Sequence, residues 1–129
     1  DCGFTSPKEI WKHVTEKGLH LSYHRRDPLA NNICRKKIQM GNQDYSTLDA
    51  LEQNQVPVLF IHGSDDDFVP IEMTYENFKK CKAEKRLLVV PGAGHAMSYY
   101  TDKKRYEETV LDFWADFDGI TDYFCAVWT

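Results

Sequence analysis

An apolar run that ends in a polar loop is encoded by residues 56–70, VPVLFIHGSDDDFVP. The run from Val56 to Ile61 is rich in β-branched residues and does not alternate with polar ones. Strands of this kind are usually covered on both faces, as they are in a parallel sheet. We therefore predict a buried strand over 56–61, followed by a loop that carries consecutive aspartates.

The same pattern of apolar run and polar loop recurs in residues 87–96, LLVVPGAGHA. Residues 87–90 predict a second buried strand, and the glycine-rich loop after it carries His95. A helix is predicted between the two strands, over about 70–82. The order strand, helix, strand implies a right-handed βαβ unit with parallel strands.

Two helices are predicted before this unit. Ser6 and Glu9 form a capping-box pattern around Pro7, which predicts a helix that ends near Gly18 and has one apolar face. A second helix is predicted to start at Asp27-Pro28 and to stop near position 41. A short helical turn is expected over 48–51.

After the unit, a helix is predicted to begin at about Lys103. Its apolar stripe has helical spacing and consists of Tyr106, Val110, Phe113, Trp114 and Phe117. The residues after Gly119 are aromatic and apolar and predict no particular element. Residues 1–3 are interpreted as the end of a third strand, because a parallel sheet normally has more than two strands.

The two loops bring an acid and a histidine to one edge of the predicted sheet. Ligands of open α/β sheets bind outside the carboxyl ends of the strands, where both loops begin. A serine hydroxyl becomes a good nucleophile when a histidine accepts its proton and a carboxylate holds that histidine in the right tautomer. The pattern therefore indicates His95 as a base and one of the aspartates 65–67 as its partner.

The motifs of these loops resemble those of α/β-hydrolases. The matched positions are His62, Gly63, Asp66, Val69 and Pro70 in the pattern His-Gly-x-x-Asp-x-x-Val-Pro, and Gly92, Gly94 and His95 in Gly-x-Gly-His. The opening residues 1–7 look like the segment after the sixth strand of bacterial members of the serine aminopeptidase-like or dienelactone-hydrolase-like groups. The resemblance covers about residues 1–117. It implies an α/β protein, the C-terminal portion of a three-layer fold with parallel strands and helices on both faces.

By this resemblance Asp66 is the acid and His95 the general base of a Ser-His-Asp triad. Asp65 and Asp67 compete for the role of the acid, but repulsion among adjacent carboxylates favours two of them facing water. A calcium-binding loop is the other interpretation, and it would need more oxygen ligands and a closing glutamate. His62 is expected to pack or to bond the loop rather than to take part in catalysis.

The nucleophile of such a triad is missing from these residues. The motif Gly-x-Ser-x-Gly does not occur, and Ser64 and Ser98 stand at the wrong places in the chain order. We therefore expect residues 1–129 to be the C-terminal fragment of a single α/β-hydrolase domain. Residues 8–52 would be connecting or lid-like helices, and 56–117 a βαβα unit with the acid and base loops. The fragment alone is expected to be inactive.

The function expected for the full-length parent is that of a serine hydrolase. It would act on an ester, thioester or amide through an acyl-serine intermediate, with no metal and no organic cofactor. The alternatives are an acyltransferase and a non-catalytic binding or interaction module on the same scaffold. The expected partners are a small-molecule acyl substrate and, at the uncovered sheet edge, a second copy of the chain or the upstream half of the same protein.

The composition bears on partners and compartment. The chain has 129 residues and a formal net charge of −4, which argues against nucleic acid as the main partner. No apolar run reaches the length of a membrane span, and we expect no membrane association. The cysteines at 2, 34, 81 and 125 lack the spacing of zinc or redox motifs. Buried free thiols are expected instead, which would suit the cytoplasm.

Overall fold

The computed structural model describes residues 1–42 and 44–117. The expectations for Cys125 and for the apolar tail after Gly119 concern residues outside this part of the chain. The elements of the described part, in chain order, are α1 (Pro7–His13), a π-helical turn (Val14–Gly18), α2 (Tyr23–Ile38), α3 (Thr47–Gln53), β1 (Val58–Gly63), α4 (Ile71–Lys80), β2 (Lys85–Val90), α5 (Ser98–Thr101) and α6 (Lys103–Asp116).

The two strands pair in parallel, as the sequence predicts. Their register runs from Val58 opposite Lys85 to Gly63 opposite Val90, so both strands end at the same level. β1 begins two residues later than expected because Pro57 has no N–H to give to a ladder, and the first bond runs from the Val58 amide to the Glu84 carbonyl (3.0 Å). The unit of strand, helix and parallel strand is therefore confirmed.

Helices α4 and α6 cover opposite faces of this sheet, since successive side chains of a strand point to opposite sides. On one face Ile61 packs with Leu88, Val90 and Ala93, and Tyr106 and Val110 of α6 lie against this cluster. On the other face the ring of Phe60 meets that of Phe78 in α4, with centroids 5.7 Å apart. The local arrangement is thus helix, sheet, helix.

Burial along β1 is less complete than the sequence predicts. Its last residues, 61–63, are buried, but 58–60 are only half-buried. Within the described residues the sheet has two strands, so one side of β1 lacks a paired strand. The segment expected as the end of a third strand is not a strand, but it lies beside β1, because the Cys2 amide donates to the Ile61 carbonyl (3.0 Å).

Helix α1 follows its sequence signals. The Ser6 hydroxyl accepts the Glu9 amide (3.1 Å), and Pro7 takes the first helical position. The helix then widens into the π-helical turn that ends at Gly18. The hydroxyl of the buried Thr15 bonds back to the Trp11 carbonyl (2.8 Å), which holds this turn against the helix.

Helix α2 corrects the sequence interpretation. It begins at Tyr23 and not at Asp27, so Pro28 lies inside the helix. A proline there removes one backbone bond, and it is tolerated because the earlier turn buries the Tyr23 side chain, which is 4% exposed. The helix ends before Gln39, whose φ of 59° is left-handed.

The remaining elements differ from expectation in detail. The short helix near Leu48 and the last helix from Lys103 are confirmed. Trp114 was expected in the apolar stripe of α6, but it is 56% exposed. Cys2 and Cys81 are buried free thiols as expected, whereas Cys34 is only half-buried. Among the described helices, none combines the length and the apolar character that crossing a bilayer requires.

Gly63 marks the closest approach between the end of β1 and the loop after β2. A Cβ at this position would lie 2.7 Å from the carbonyl carbon of Ala93, so the backbone would have to move. We expect Gly63→Ala to lower the free energy of unfolding by about 1–3 kcal/mol. Urea unfolding monitored by circular dichroism measures this. Gly18→Ala is the matched control, since nothing lies within 4 Å of its added methyl. An equal loss in both variants would contradict the close approach.

Candidate active site

Two loops that leave the same sheet edge are bonded to each other. We call residues 64–70 the acid loop and residues 91–97 the base loop. The Ser64 amide donates to the Val90 carbonyl (2.9 Å), and the Asp65 amide donates to the Ala93 carbonyl (3.0 Å). The Gly92 amide, in a left-handed turn with φ 74°, donates to the Ser64 hydroxyl (2.8 Å). These bonds fix the position of one loop relative to the other.

The acid loop and the base loop bring Asp66 and His95 into contact. Nδ1 of His95 lies 2.9 Å from Oδ2 of Asp66. An ionised carboxylate only accepts, so Nδ1 carries the proton and donates it. In the neutral ring this leaves Nε2 as the free base. The hydrogen bond that the sequence predicts between these two side chains is therefore present.

The Asp66 carboxylate is buried and held at both oxygens. Its side chain is 0% exposed, and Oδ1 accepts the amides of Phe68 (3.0 Å) and Val69 (2.8 Å). Burial by itself raises the pKa of Asp66, but the Val69 amide, the His95 side chain and the Phe68 amide together outweigh it. The pKa of Asp66 therefore lies below its ordinary value, and the carboxylate stays charged.

The neighbouring aspartates are placed differently. Asp65 and Asp67 are exposed, and Oδ1 of Asp65 accepts the Ser64 hydroxyl (2.6 Å). Of the three consecutive aspartates, Asp66 is the one that meets His95. The geometry therefore agrees with the choice that the motif makes and not with its two competitors.

His95 is supported on one side and open on the other. Its ring packs against Phe68, with centroids 4.9 Å apart and planes tilted by 54°. Its side chain is 38% exposed, whereas its partner Asp66 is fully enclosed. Nε2 of His95 forms no hydrogen bond with any residue that the structure describes, so it can receive a proton from a group that approaches the ring.

His62 has the structural role that the sequence predicts. It is fully buried, and Nε2 lies 2.9 Å from the Val69 carbonyl and 3.2 Å from Oδ2 of Asp66. Because both of these atoms accept, Nε2 carries the proton, and Nδ1 accepts the Thr74 hydroxyl (2.6 Å). His62 thus joins β1, the acid loop and α4, and it steadies the loop that carries Asp66.

Cys2 packs beneath the base loop. Its sulfur accepts the Ala96 amide (3.3 Å), and both residues have left-handed backbones, with φ of 54° and 57°. Burial raises the pKa of the Cys2 thiol. Ligand atoms of Cys2, His62 and Asp66 lie within 4.8 Å of one another, close enough to hold a metal ion. The fit is poor, because Nε2 of His62 would have to lose its proton and its bond to the Val69 carbonyl.

An apolar cavity of about 660 Å³ adjoins His95. Its walls come from the first residues of the chain, α1, the π-helical turn, α2, the segment after α2 and the two loops. The lining residues are Cys2, Phe4, Pro7, Ile10, Trp11, Val14, Ala30, Cys34, Asn42, Phe68, Val69 and His95. The segment 8–52, for which no specific contact was predicted, therefore supplies one wall of the cavity.

Sequence reasoning missed Phe68, Thr74 and Cys2 as parts of the site. Phe68 occupies a variable position of the motif, and Thr74 lies on a helix with no polar pattern that marks it. Ser64 and Ser98 were excluded as the nucleophile because of their positions in the chain order. Neither forms a hydrogen bond with His95. Ser64 bonds the two loops, and the hydroxyl of the buried Ser98 has no partner among the described residues.

Comparisons with known proteins agree with this geometry. Residues 19–119 match the model of the prolyl oligopeptidase family. The chain is also 30% identical over 122 residues to the uncharacterized protein YqkD of Bacillus subtilis (strain 168). That alignment covers 95% of this chain and 40% of YqkD, so the chain spans well under two thirds of its curated relative.

These matches define the class first. The chain belongs to the serine-hydrolase-like families of the α/β-hydrolase class, and its parallel βαβ unit agrees with this. Within that class it belongs to the prolyl oligopeptidase family. The narrower serine aminopeptidase-like or dienelactone-hydrolase-like grouping stays a prediction.

Thr74 tests the support that α4 gives to the site. Thr74→Val keeps the shape of the side chain but leaves Nδ1 of the buried His62 without its hydroxyl partner. We expect the free energy of unfolding to fall by about 1–3 kcal/mol. Thr109→Val is the control, since among the described residues the Thr109 hydroxyl bonds back to the Arg105 carbonyl of its own helix and to no other group. Chemical unfolding of both variants gives the comparison, and equal losses would exclude a special role for Thr74.

Asp66 makes stability depend on pH. Because its folded pKa is lowered from 3.8, its ionised form contributes stability that is fully present above that value and is lost as pH falls through the folded pKa. The difference in unfolding free energy between wild type and Asp66→Asn should therefore shrink on acidification below about pH 4. Thermal unfolding across pH measures it, with the exposed Asp67→Asn as control. A constant difference would show that Asp66 is not held in its charged form.

Proposed function

We propose that Asp66 and His95 are the acid and base of a Ser-His-Asp triad, and that the full-length protein hydrolyses an ester, thioester or amide. The observation that carries this proposal is the bond between the buried Asp66 carboxylate and Nδ1 of His95, with Nε2 left open beside an apolar cavity. This is the arrangement that a proton-accepting histidine needs. Membership of a serine-hydrolase family supports the same reaction class.

In the proposed mechanism, Nε2 of His95 removes the proton from a serine hydroxyl that lies upstream of these residues. The serine oxygen attacks the substrate carbonyl, and the carbonyl electrons move onto its oxygen. When that intermediate collapses, the imidazolium returns its proton to the departing alcohol, thiol or amine. A water molecule then attacks the acyl-serine with His95 again as base, which releases the acid and restores the serine.

Asp66 has two tasks in this cycle. It holds the proton on Nδ1, so that Nε2 is the basic nitrogen, and its charge stabilises the imidazolium that forms beside it. A carboxylate can do the second task only while it is ionised. The lowered pKa of Asp66 and its two amide partners meet that condition.

We further propose that the chain is the C-terminal portion of a larger α/β-hydrolase domain. Its alignment to 40% of YqkD and its two-stranded sheet are consistent with an upstream half that holds the serine and the oxyanion hole. Residues 8–52 would then act as lid-like helices, a role supported by the α1 and α2 side chains in the cavity wall.

The three consecutive aspartates offer a matched test of the proposal. In the full-length protein, Asp66→Asn should lower kcat by about 10³-fold or more, because the histidine tautomer is no longer fixed. Asp65→Asn and Asp67→Asn change the same chemistry on exposed side chains and should keep kcat within about twofold. Release of nitrophenol from nitrophenyl esters measures all three.

His95→Ala should be at least as damaging as Asp66→Asn, because it removes the base itself, whereas Asp66 acts through that base. His24→Ala, an exposed position in α2, is its control. The 129-residue chain alone should show no turnover above that of its own His95→Ala variant. Esterase activity of the full-length protein that survives both Asp66→Asn and His95→Ala would refute the triad. A full-length protein without any hydrolytic activity would favour a binding module.

A further inference from the structure

We propose that the cavity beside His95 binds an uncharged, unbranched aliphatic acyl group of medium length, and that α2 limits that length. The inference rests on the proposed function, because it assigns the acyl side of the same reaction.

The wall of the cavity is apolar. Its aliphatic and aromatic side chains come from the chain start, α1, the π-helical turn, α2 and the acid loop, and they include Phe4, Ile10, Trp11, Val14 and Phe68. No Asp, Glu, Lys or Arg belongs to the wall as far as the structure describes the chain. Such a surface gains free energy by releasing water from apolar groups and offers a charged group nothing in exchange.

Two aromatic rings of the wall are exposed to solvent. Phe4 is 37% exposed and Phe68 is 50% exposed, although both line the cavity. Phe68 also packs on the ring of His95. An apolar chain entering from the reacting carbonyl at His95 would contact Phe68 at once and would cover surface that now faces solvent.

The size of the cavity suits a ligand longer than an acetyl group. A volume of about 660 Å³ falls in the range of sites that enclose small organic ligands, and it exceeds what an acetyl group fills. The α2 wall consists of small or slender side chains, Ala30 and Cys34, one helical turn apart. They leave room for methylene groups, and a larger residue at either position would take that room away.

The same wall disfavours a peptide as the acyl group. A peptide brings amide groups that need hydrogen-bond partners and, when short, a charged amino terminus that needs a carboxylate. Besides His95, Asn42 and Trp11 bring polar atoms to the wall, and Oδ1 of Asn42 and Nε1 of Trp11 are buried without a partner among the described residues. The Asn42 amide nitrogen already donates to Asp27. One acceptor and one donor cannot pair all the amides of a peptide, and no carboxylate of the described residues lines the wall to meet a charged amino terminus, whereas an aliphatic chain needs neither.

Binding of neutral alkanamides to the full-length protein tests the proposal without any turnover. Affinity, measured by calorimetry, should rise about threefold to fourfold for each methylene from butanamide to octanamide. Alanylproline amide, which is charged and carries extra amides, should bind more weakly than butanamide. A flat length series, or peptide binding equal to that of octanamide, would overturn the proposal.

A pair of leucine substitutions on α2 locates the binding. Ala30→Leu should weaken octanamide binding by about tenfold and change butanamide binding less, because it fills the cavity. Asn32→Leu adds the same side chain at an exposed position of the helix and should leave both affinities unchanged. Equal effects of both substitutions would place the binding elsewhere. If Ala30→Leu fails to fold, the length series on the wild-type protein still decides.

The proposed function and this inference fail in different ways. If octanamide is preferred but no ester is hydrolysed, the cavity assignment stands and the triad falls. If hydrolysis depends on Asp66 and His95 but nitrophenyl acetate and nitrophenyl octanoate are cleaved with the same kcat/KM, the triad stands and the acyl assignment is overturned.

Discussion

The parallel register of β1 and β2 is the constraint on which the site depends. Because Gly63 pairs with Val90, both strands end at one level, and the loops that follow leave the sheet side by side. The Asp65 amide can then reach the Ala93 carbonyl. The missing side chain at Gly63 allows this approach. A shift of the register by one residue would turn every side chain of a strand to the other face and separate the loops.

The site is built in layers of decreasing burial. His62, fully buried, bonds to Thr74 below it and to the Val69 carbonyl at the end of the acid loop. Asp66 lies above, enclosed and charged, and His95 lies outermost and partly open. The buried His62 and Asp66 therefore give rigid support while His95 stays accessible. The groups that must not move are surrounded by protein, and the group that must meet a substrate borders the cavity.

Much of the fold could be predicted because its signals are local. The continuous apolar runs indicated two parallel strands, and the capping pattern at Ser6 indicated where α1 begins. The start of α2 was predicted wrongly, because Asp27-Pro28 was interpreted as a helix start, whereas the burial of Tyr23 places the first turn four residues earlier. The exposure of Trp114 was missed as well, since helical spacing shows which side chains share a face but not how wide the opposing surface is.

The sequence by itself determined the chemical groups: which aspartate follows the first strand at the motif position, and which histidine follows the second. Motif spacing suffices for this, because covalent connection fixes where each loop leaves the sheet. Only the tertiary structure decided the contacts that make the groups work. Oδ2 of Asp66 meets His95, Thr74 reaches His62, and α2 lines a cavity beside the base. These contacts join residues far apart in the chain, and their distances follow from packing, which no local pattern records.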